Sequence, residues 1–304
     1  MQHFNSTNDL ITNKNTACFG RVVNGRWSDA QRRIIWFLIC KAREGLKIEL
    51  DPVVATAFVI LQKYFRNQSN PESEEEVINQ YDLLTLMTAA LFTACKRGED
   101  SFRPMDSIYQ ELSKICINAP FQKIRSIAAR GPSYARAALT QNDYDLISRC
   151  EIDLLNVIGF ELGFDLPFKY FNEIIKMMTN LIPQDSMNKF CQTWLIDTCL
   201  MICSQYYLDL PPEVAAAAAV FESFQSGKLL QLIPSQHTQP QLAYSGQSCP
   251  LNTPVAIVHG DGVSQYIFNW VNQIREKHGD RLFQLAQTAM MEERQKTVPR
   301  QPSR

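Results

Sequence analysis

The chain has 304 residues, 45% of them hydrophobic and 20% charged, with Lys plus Arg (30) nearly balancing Asp plus Glu (31). This is the composition of a folded chain long enough for two domains of ordinary size, and it excludes a disordered polymer. The charge balance gives no electrostatic footprint for nucleic acid or a membrane surface. The polar N-terminus is unlike a secretory signal and no apolar run reaches membrane-spanning length, so a cytosolic or nuclear protein is expected.

Residues 1–27 are polar and are expected to be poorly ordered. Ser28-Asp29-Ala30-Gln31 reads as a capping box, and Ile34, Ile35, Phe37, Leu38 and Ala42 predict a helix to about Gly45. Asp51-Pro52 opens a second helix, VVATAFVILQKYF. Its β-branched residues alone would suit a strand, but its length, its cap and the small Ala55 and Ala57 favour a helix. PESEEE, from Pro71 to Glu76, is a solvated loop.

Residues 82–100 form the centre of the scheme. Leu83, Leu84, Met87, Ala90, Leu91 and Ala94 recur at helical spacing, with Asp82 placed as the cap. A helix apolar on nearly every side belongs in the middle of a bundle. Lys96 stands at its C-terminal end with Glu99 just beyond, where a cation suits the helix dipole. Pro104 opens a fourth helix to about Lys114. Residues 117–142 carry Lys123, Arg125, Arg130 and Arg136 and no carboxylate, and read as a basic insertion: a solvated loop, or a site for a phosphate or an acidic partner. A fifth helix runs from Asp143 to Ile158 and stops at Gly159.

From Pro167 the scheme repeats, with helices predicted at 167–182, 186–205, 211–226, 263–278 and 280–294. The third of these begins with Pro211-Pro212 and is mostly alanine, as suits a second central helix approached closely by its neighbours. Residues 229–262, rich in Gln, Ser, Pro and Gly, read as a surface loop. Two similar five-helix domains are therefore expected, at 28–165 and 166–295, followed by a tail at 296–304.

Motifs for chemistry are missing. Gly227-Lys228 is followed by Leu229 rather than by a magnesium-binding hydroxyl. There is no dinucleotide fingerprint, no Gly-x-Ser-x-Gly and no His-Glu-x-x-His. The nine cysteines include no CxxC pair and the four histidines are isolated, so free thiols are expected, with Cys191, Cys199 and Cys203 on one helical face, and no metal or cofactor. Glu292 and Glu293, in a charged helix end, are expected to face solvent.

Four stretches in this order resemble the cyclin family over about residues 28–295: RRIIWFLICKAREGLKIELDPVVATAFVILQKYF, AALFTACKRGED, CEIDLLNVIGFELGFDLPFKYF and LDLPPEVAAAAAVF. The resemblance implies an all-α, tandem cyclin-box fold of two five-helix bundles. It also implies a non-catalytic regulatory subunit that forms a heterodimer with a cyclin-dependent protein kinase and activates it, the kinase holding ATP and magnesium. Lys96 falls on the family's kinase-contacting lysine and Glu151 on its glutamate; in the family the two meet and bind backbone groups of the kinase. Read alone, Glu151 is an ordinary carboxylate near a helix N-terminus. Glu99, Phe65 and Phe92 complete the implied kinase-binding set. Arg33 keeps the family's usual arginine, but its frequent aspartate partner is here Gln62, and Arg32 stands where cell-cycle cyclins have the apolar anchor of a substrate-docking patch. GLKIELDPVVATAFVILQKYF looks more like the cyclins of transcription (the C, T, K, L and H types), which implies the nucleus and the transcription machinery as a further partner, with no direct contact to nucleic acid or membrane. The rival readings are a general transcription factor of the TFIIB type, binding DNA and polymerase, and a cyclin-fold scaffold that binds no kinase.

Overall fold

A computed structural model describes residues 29–48, 51–67, 81–97, 102–118, 139–178, 184–225 and 262–297. Among these residues the regular structure is all helical, with ten α-helices, one 3-10 turn at Tyr207–Asp209 and no strand. The α-helices are α1 (Asp29–Leu46), α2 (Asp51–Asn67), α3 (Leu83–Arg97), α4 (Met105–Asn118), α5 (Gln141–Val157), α6 (Lys169–Met178), α7 (Gln184–Cys203), α8 (Pro212–Gln225), α9 (Gly262–His278) and α10 (Asp280–Thr297). Among the described residues no helix is long and apolar enough to cross a membrane. The segments expected to be a disordered N-terminus, an acidic loop and a long polar loop lie outside the described residues, apart from Gly262 at the start of α9. The basic insertion is shorter than expected, because Ile117 and Asn118 belong to α4 and Gln141 and Asn142 to α5.

The contacts divide the chain into two units. The first comprises residues to Leu166 with Cys199–Asp209 and Met291 onward; the second comprises Pro167–Thr198 and Leu210–Met290. In the first unit α3 touches α1, α2, α4 and α5. From Leu84 to Cys95 only Phe92 escapes full burial, as a helix without a polar face requires. Asp82 caps it, accepting from the Thr85 N–H at 2.8 Å and the Thr85 hydroxyl at 3.1 Å. Asp82→Ala is expected to cost about 1 kcal/mol, read as a lower urea midpoint with unchanged slope. An effect within error would mean that water satisfies this helix end equally well. Val53 through Gln62 of α2 are all buried, so the β-branched run is a core helix.

Burial pushes the Cys95 thiol from 9.0 up to about 11 and the Cys116 thiol up to about 12. For both, the folded protein holds its proton above pH 9 while the unfolded chain loses it, so stability is complete below pH 9 and declines as pH rises through 11 to 12. The melting temperature is expected to fall across that interval and to fall less steeply in Cys116→Ala. A flat profile between pH 9 and 11 would contradict this account.

In the second unit Val214 through Val220 of α8 are wholly buried. This alanine-rich helix contacts α6 and α9, meets α7 through the Ser223 hydroxyl and Asp197 carboxylate, and meets α10 through the edge-on rings of Phe221 and Phe283. Trp194 of α7 stacks on Phe171 of α6 with ring centroids 4.6 Å apart. Lys277 and His278, in the last turn of α9, both meet the Glu213 carboxylate in the first turn of α8. Burial pushes the Glu213 carboxyl up, but the hydrogen bonds with Lys277 and His278 outweigh it, so its pKa is lowered overall.

Candidate functional site

The first unit brings Lys96 and Glu151 together, 55 residues apart in sequence. Each follows a wholly buried cysteine, Cys95 on α3 and Cys150 on α5, so each stands one helical step from the core, at the rim of the α3–α5 packing. Lys96 Nζ donates to both carboxylate oxygens of Glu151 at 2.9 Å. The exposure is unequal: the Glu151 side chain is 11% exposed and that of Lys96 43%. A buried carboxylate is thus neutralised by a cation that still reaches solvent, as a half-buried ion pair requires.

Three further polar contacts hold α5: one to the segment before α3, one to α4 and one at its own N-terminus. The Tyr81 hydroxyl donates to Asp153 Oδ2 at 2.6 Å, and the Tyr144 hydroxyl meets Asp106 of α4. At the start of α5 Thr140 and Asp143 form a reciprocal capping box. The Thr140 N–H donates to Asp143 Oδ2 at 2.8 Å and the Asp143 N–H to Thr140 Oγ1 at 3.3 Å. Thr140-x-x-Asp143 is a legible signal that would have started α5 earlier than Asp143. Its other end is a Schellman turn, with Gly159 N–H bonded to the Asn156 carbonyl and Phe160 N–H to that of Leu155.

Phe92 lies beside the pair. The Lys96 ammonium sits 4.2 Å from the centre of its ring, and Phe102 packs against it with centroids 6.3 Å apart. Phe102 is 54% exposed, and its carbonyl accepts from Arg103, which also bonds the carbonyls of Leu46 and Lys47 at the end of α1. Ile152, next to Glu151, is 54% exposed, and Phe160 is 63% exposed. An exposed aromatic reached through Phe92 and an exposed isoleucine next in sequence to Glu151 are the ingredients of an interaction surface. Sequence reasoning missed Phe102, Ile152 and Phe160. Ile152 was legible only as an apolar residue on the outer stripe of α5, and Phe160 only as an apolar residue just past its end.

The remaining residues expected at this site separate. Phe65 is 6% exposed and packs edge-on against Tyr64, so its ring belongs to the core. Glu99 lies outside the described residues. Away from the site, Glu293 is 2% exposed and pairs with Arg33 of α1, which corrects the expectation that it faces solvent. The charged appearance of that helix end conceals one inward position. Where the resemblance puts an aspartate facing Arg33, Gln62 instead donates to the Ile202 carbonyl at 3.0 Å, and Arg32 donates to that of Cys203 at 3.1 Å. These are the last carbonyls of α7, which have no partner within their own helix. Arg32 is thereby buried, at 4% exposure.

Among the described residues no cluster of His, Cys, Asp or Glu could hold a metal, and the described cysteines are free thiols. The surface around Lys96 therefore offers one committed ion pair and a fringe of apolar side chains. No family model matches the sequence, and no curated protein matches it at significance.

Proposed function

We propose that the chain is a cyclin of the transcription type, a non-catalytic regulatory subunit that binds and activates a nuclear cyclin-dependent protein kinase. In this reading the ten helices are two cyclin-box repeats, and the end of α3 with the adjoining rim of α5 is the kinase-binding surface. One observation carries it: the lysine and the glutamate that the motif resemblance singles out, far apart in sequence, form a bidentate ion pair at a partly exposed rim, with Phe92 against the lysine and the exposed Phe102 against Phe92. A fixed donor and acceptor beside exposed apolar side chains can satisfy the backbone of a partner segment while burying its side chains.

The test is recovery of the tagged full chain from its own cells, with identification of what accompanies it. A protein kinase is expected with the wild-type chain and is lost with Lys96→Glu and with Glu151→Ala, while circular dichroism of both variants stays that of a folded helical protein. Kinase retained by both variants would overturn the site. Promoter DNA with a steep salt dependence and no kinase would favour a general transcription factor instead.

A further inference from the structure

The ion pair has a third member that the motif resemblance does not supply. Thr93, one turn before Lys96 on α3, is 1% exposed, and its hydroxyl lies 3.1 Å from Glu151 Oε1 and 2.8 Å from the Ala89 carbonyl. We propose that Thr93 is a positioning residue for the partner-binding site: its hydroxyl fixes the rotation of the Glu151 carboxylate and so decides which oxygen is left for a partner. This rests on the reading of Lys96 and Glu151 as a partner-binding pair.

The atoms can be counted. Glu151 Oε1 accepts from Lys96 Nζ and shares the single Thr93 hydroxyl proton with the Ala89 carbonyl, whereas among the described residues Oε2 accepts from Lys96 alone and is the less occupied oxygen. The site therefore presents Oε2 as its spare acceptor and the third ammonium proton of Lys96 as its spare donor. Without the hydroxyl, the two oxygens become equivalent against the ammonium, and the spare acceptor is spread over two positions. A buried threonine in a helix ordinarily bonds back to the carbonyl four residues earlier, and that alone could account for Thr93. The same helix provides the control. Thr88 is also buried and bonds the Leu84 carbonyl at 2.7 Å, with no carboxylate partner among the described residues. The two threonines thus share burial and backbone bonding and differ in Glu151.

The experiment compares Thr93→Val, Thr88→Val and Thr93→Ser in the full chain. First, urea unfolding of each valine variant is combined with Glu151→Gln in a double-mutant cycle. Thr93→Val is expected to be non-additive with Glu151→Gln and Thr88→Val additive; additivity in both cycles overturns the proposal without any partner being present. Second, the kinase recovered with the wild-type chain is titrated against the variants. Thr93→Val is expected to bind about fivefold more weakly, the scale of one hydrogen bond, with Thr93→Ser restoring affinity and Thr88→Val unchanged. Equal losses in both valine variants, or no loss in Thr93→Val, overturn the positioning role. If Lys96→Glu keeps the kinase, the underlying site fails instead, so the two failures are told apart.

Discussion

Replacing Glu293 by alanine is expected to lower the unfolding free energy by about 3 kcal/mol, the lower end of the range for breaking a buried ion pair. Its side chain is 3% exposed, and Arg33 Nη2 bonds both its carboxylate and its backbone carbonyl. The lower end applies because the Arg33 side chain is 20% exposed and recovers some hydration when its partner is gone. Glu293→Gln, which keeps an acceptor but not the charge, should lose less. Glu292→Ala, next to it but only partly buried, should stay within about 0.5 kcal/mol of the parent. Urea denaturation monitored by circular dichroism measures all three. Equal losses at 292 and 293 would show that the pair adds nothing beyond an ordinary helix end. The consequence for the first unit is direct, since residues from Met291 onward belong to it and a chain cut before Met291 leaves Arg33 without its carboxylate.

The second large effect is on binding. On the proposed reading, Lys96→Glu is expected to weaken binding of the kinase by about 100-fold, because truncating or reversing one member of a hydrogen-bonded charge pair at an interface costs several kcal/mol. The variant removes the spare donor and sets a second carboxylate against Glu151, which is the less exposed member of the pair. Lys96→Met should lose less, since it removes the donor without adding repulsion. Both variants leave the Glu151 carboxylate, 11% exposed, without its cation, so each is expected to lose some stability, and more in Lys96→Glu than in Lys96→Met. Isothermal titration with the co-purified kinase reads the affinities, and the melting temperature checks the fold. Undiminished affinity in Lys96→Glu would remove the end of α3 from the interface.

The fold was legible where one chain property decides it. Periodicity and caps placed all ten helices, because an apolar stripe at helical spacing needs no knowledge of what will cover it. The boundaries that slipped were governed by less local signals. α4 runs four residues past Lys114 to Asn118, and α5 starts two residues before Asp143, where Thr140 caps it. α6 begins at Lys169 rather than at 167, and residues 179–182 of the expected span lie outside the described residues.

The site was less legible. Lys96 could be found as a cation at a helix end, but Glu151 is one of many carboxylates until α5 packs on α3. The same limit explains Glu293 and Phe65. A glutamate in a charged helix end and an aromatic in an amphipathic helix are each ambiguous by one helical step, and a step of 100° separates core from solvent.

What the sequence determined by itself is therefore the helices, their order and the two central ones, since these follow from local spacing and from runs such as Ala215 to Ala219 that can only be buried. What only the tertiary structure decided is pairing across distance. Lys96 meets Glu151, Thr93 completes that pair, and Arg33 meets Glu293 rather than a group on α2. The physical reason is that an ion pair is specified by the relative rotation of two helices, which is set by the sum of their buried contacts and by no residue of the pair itself.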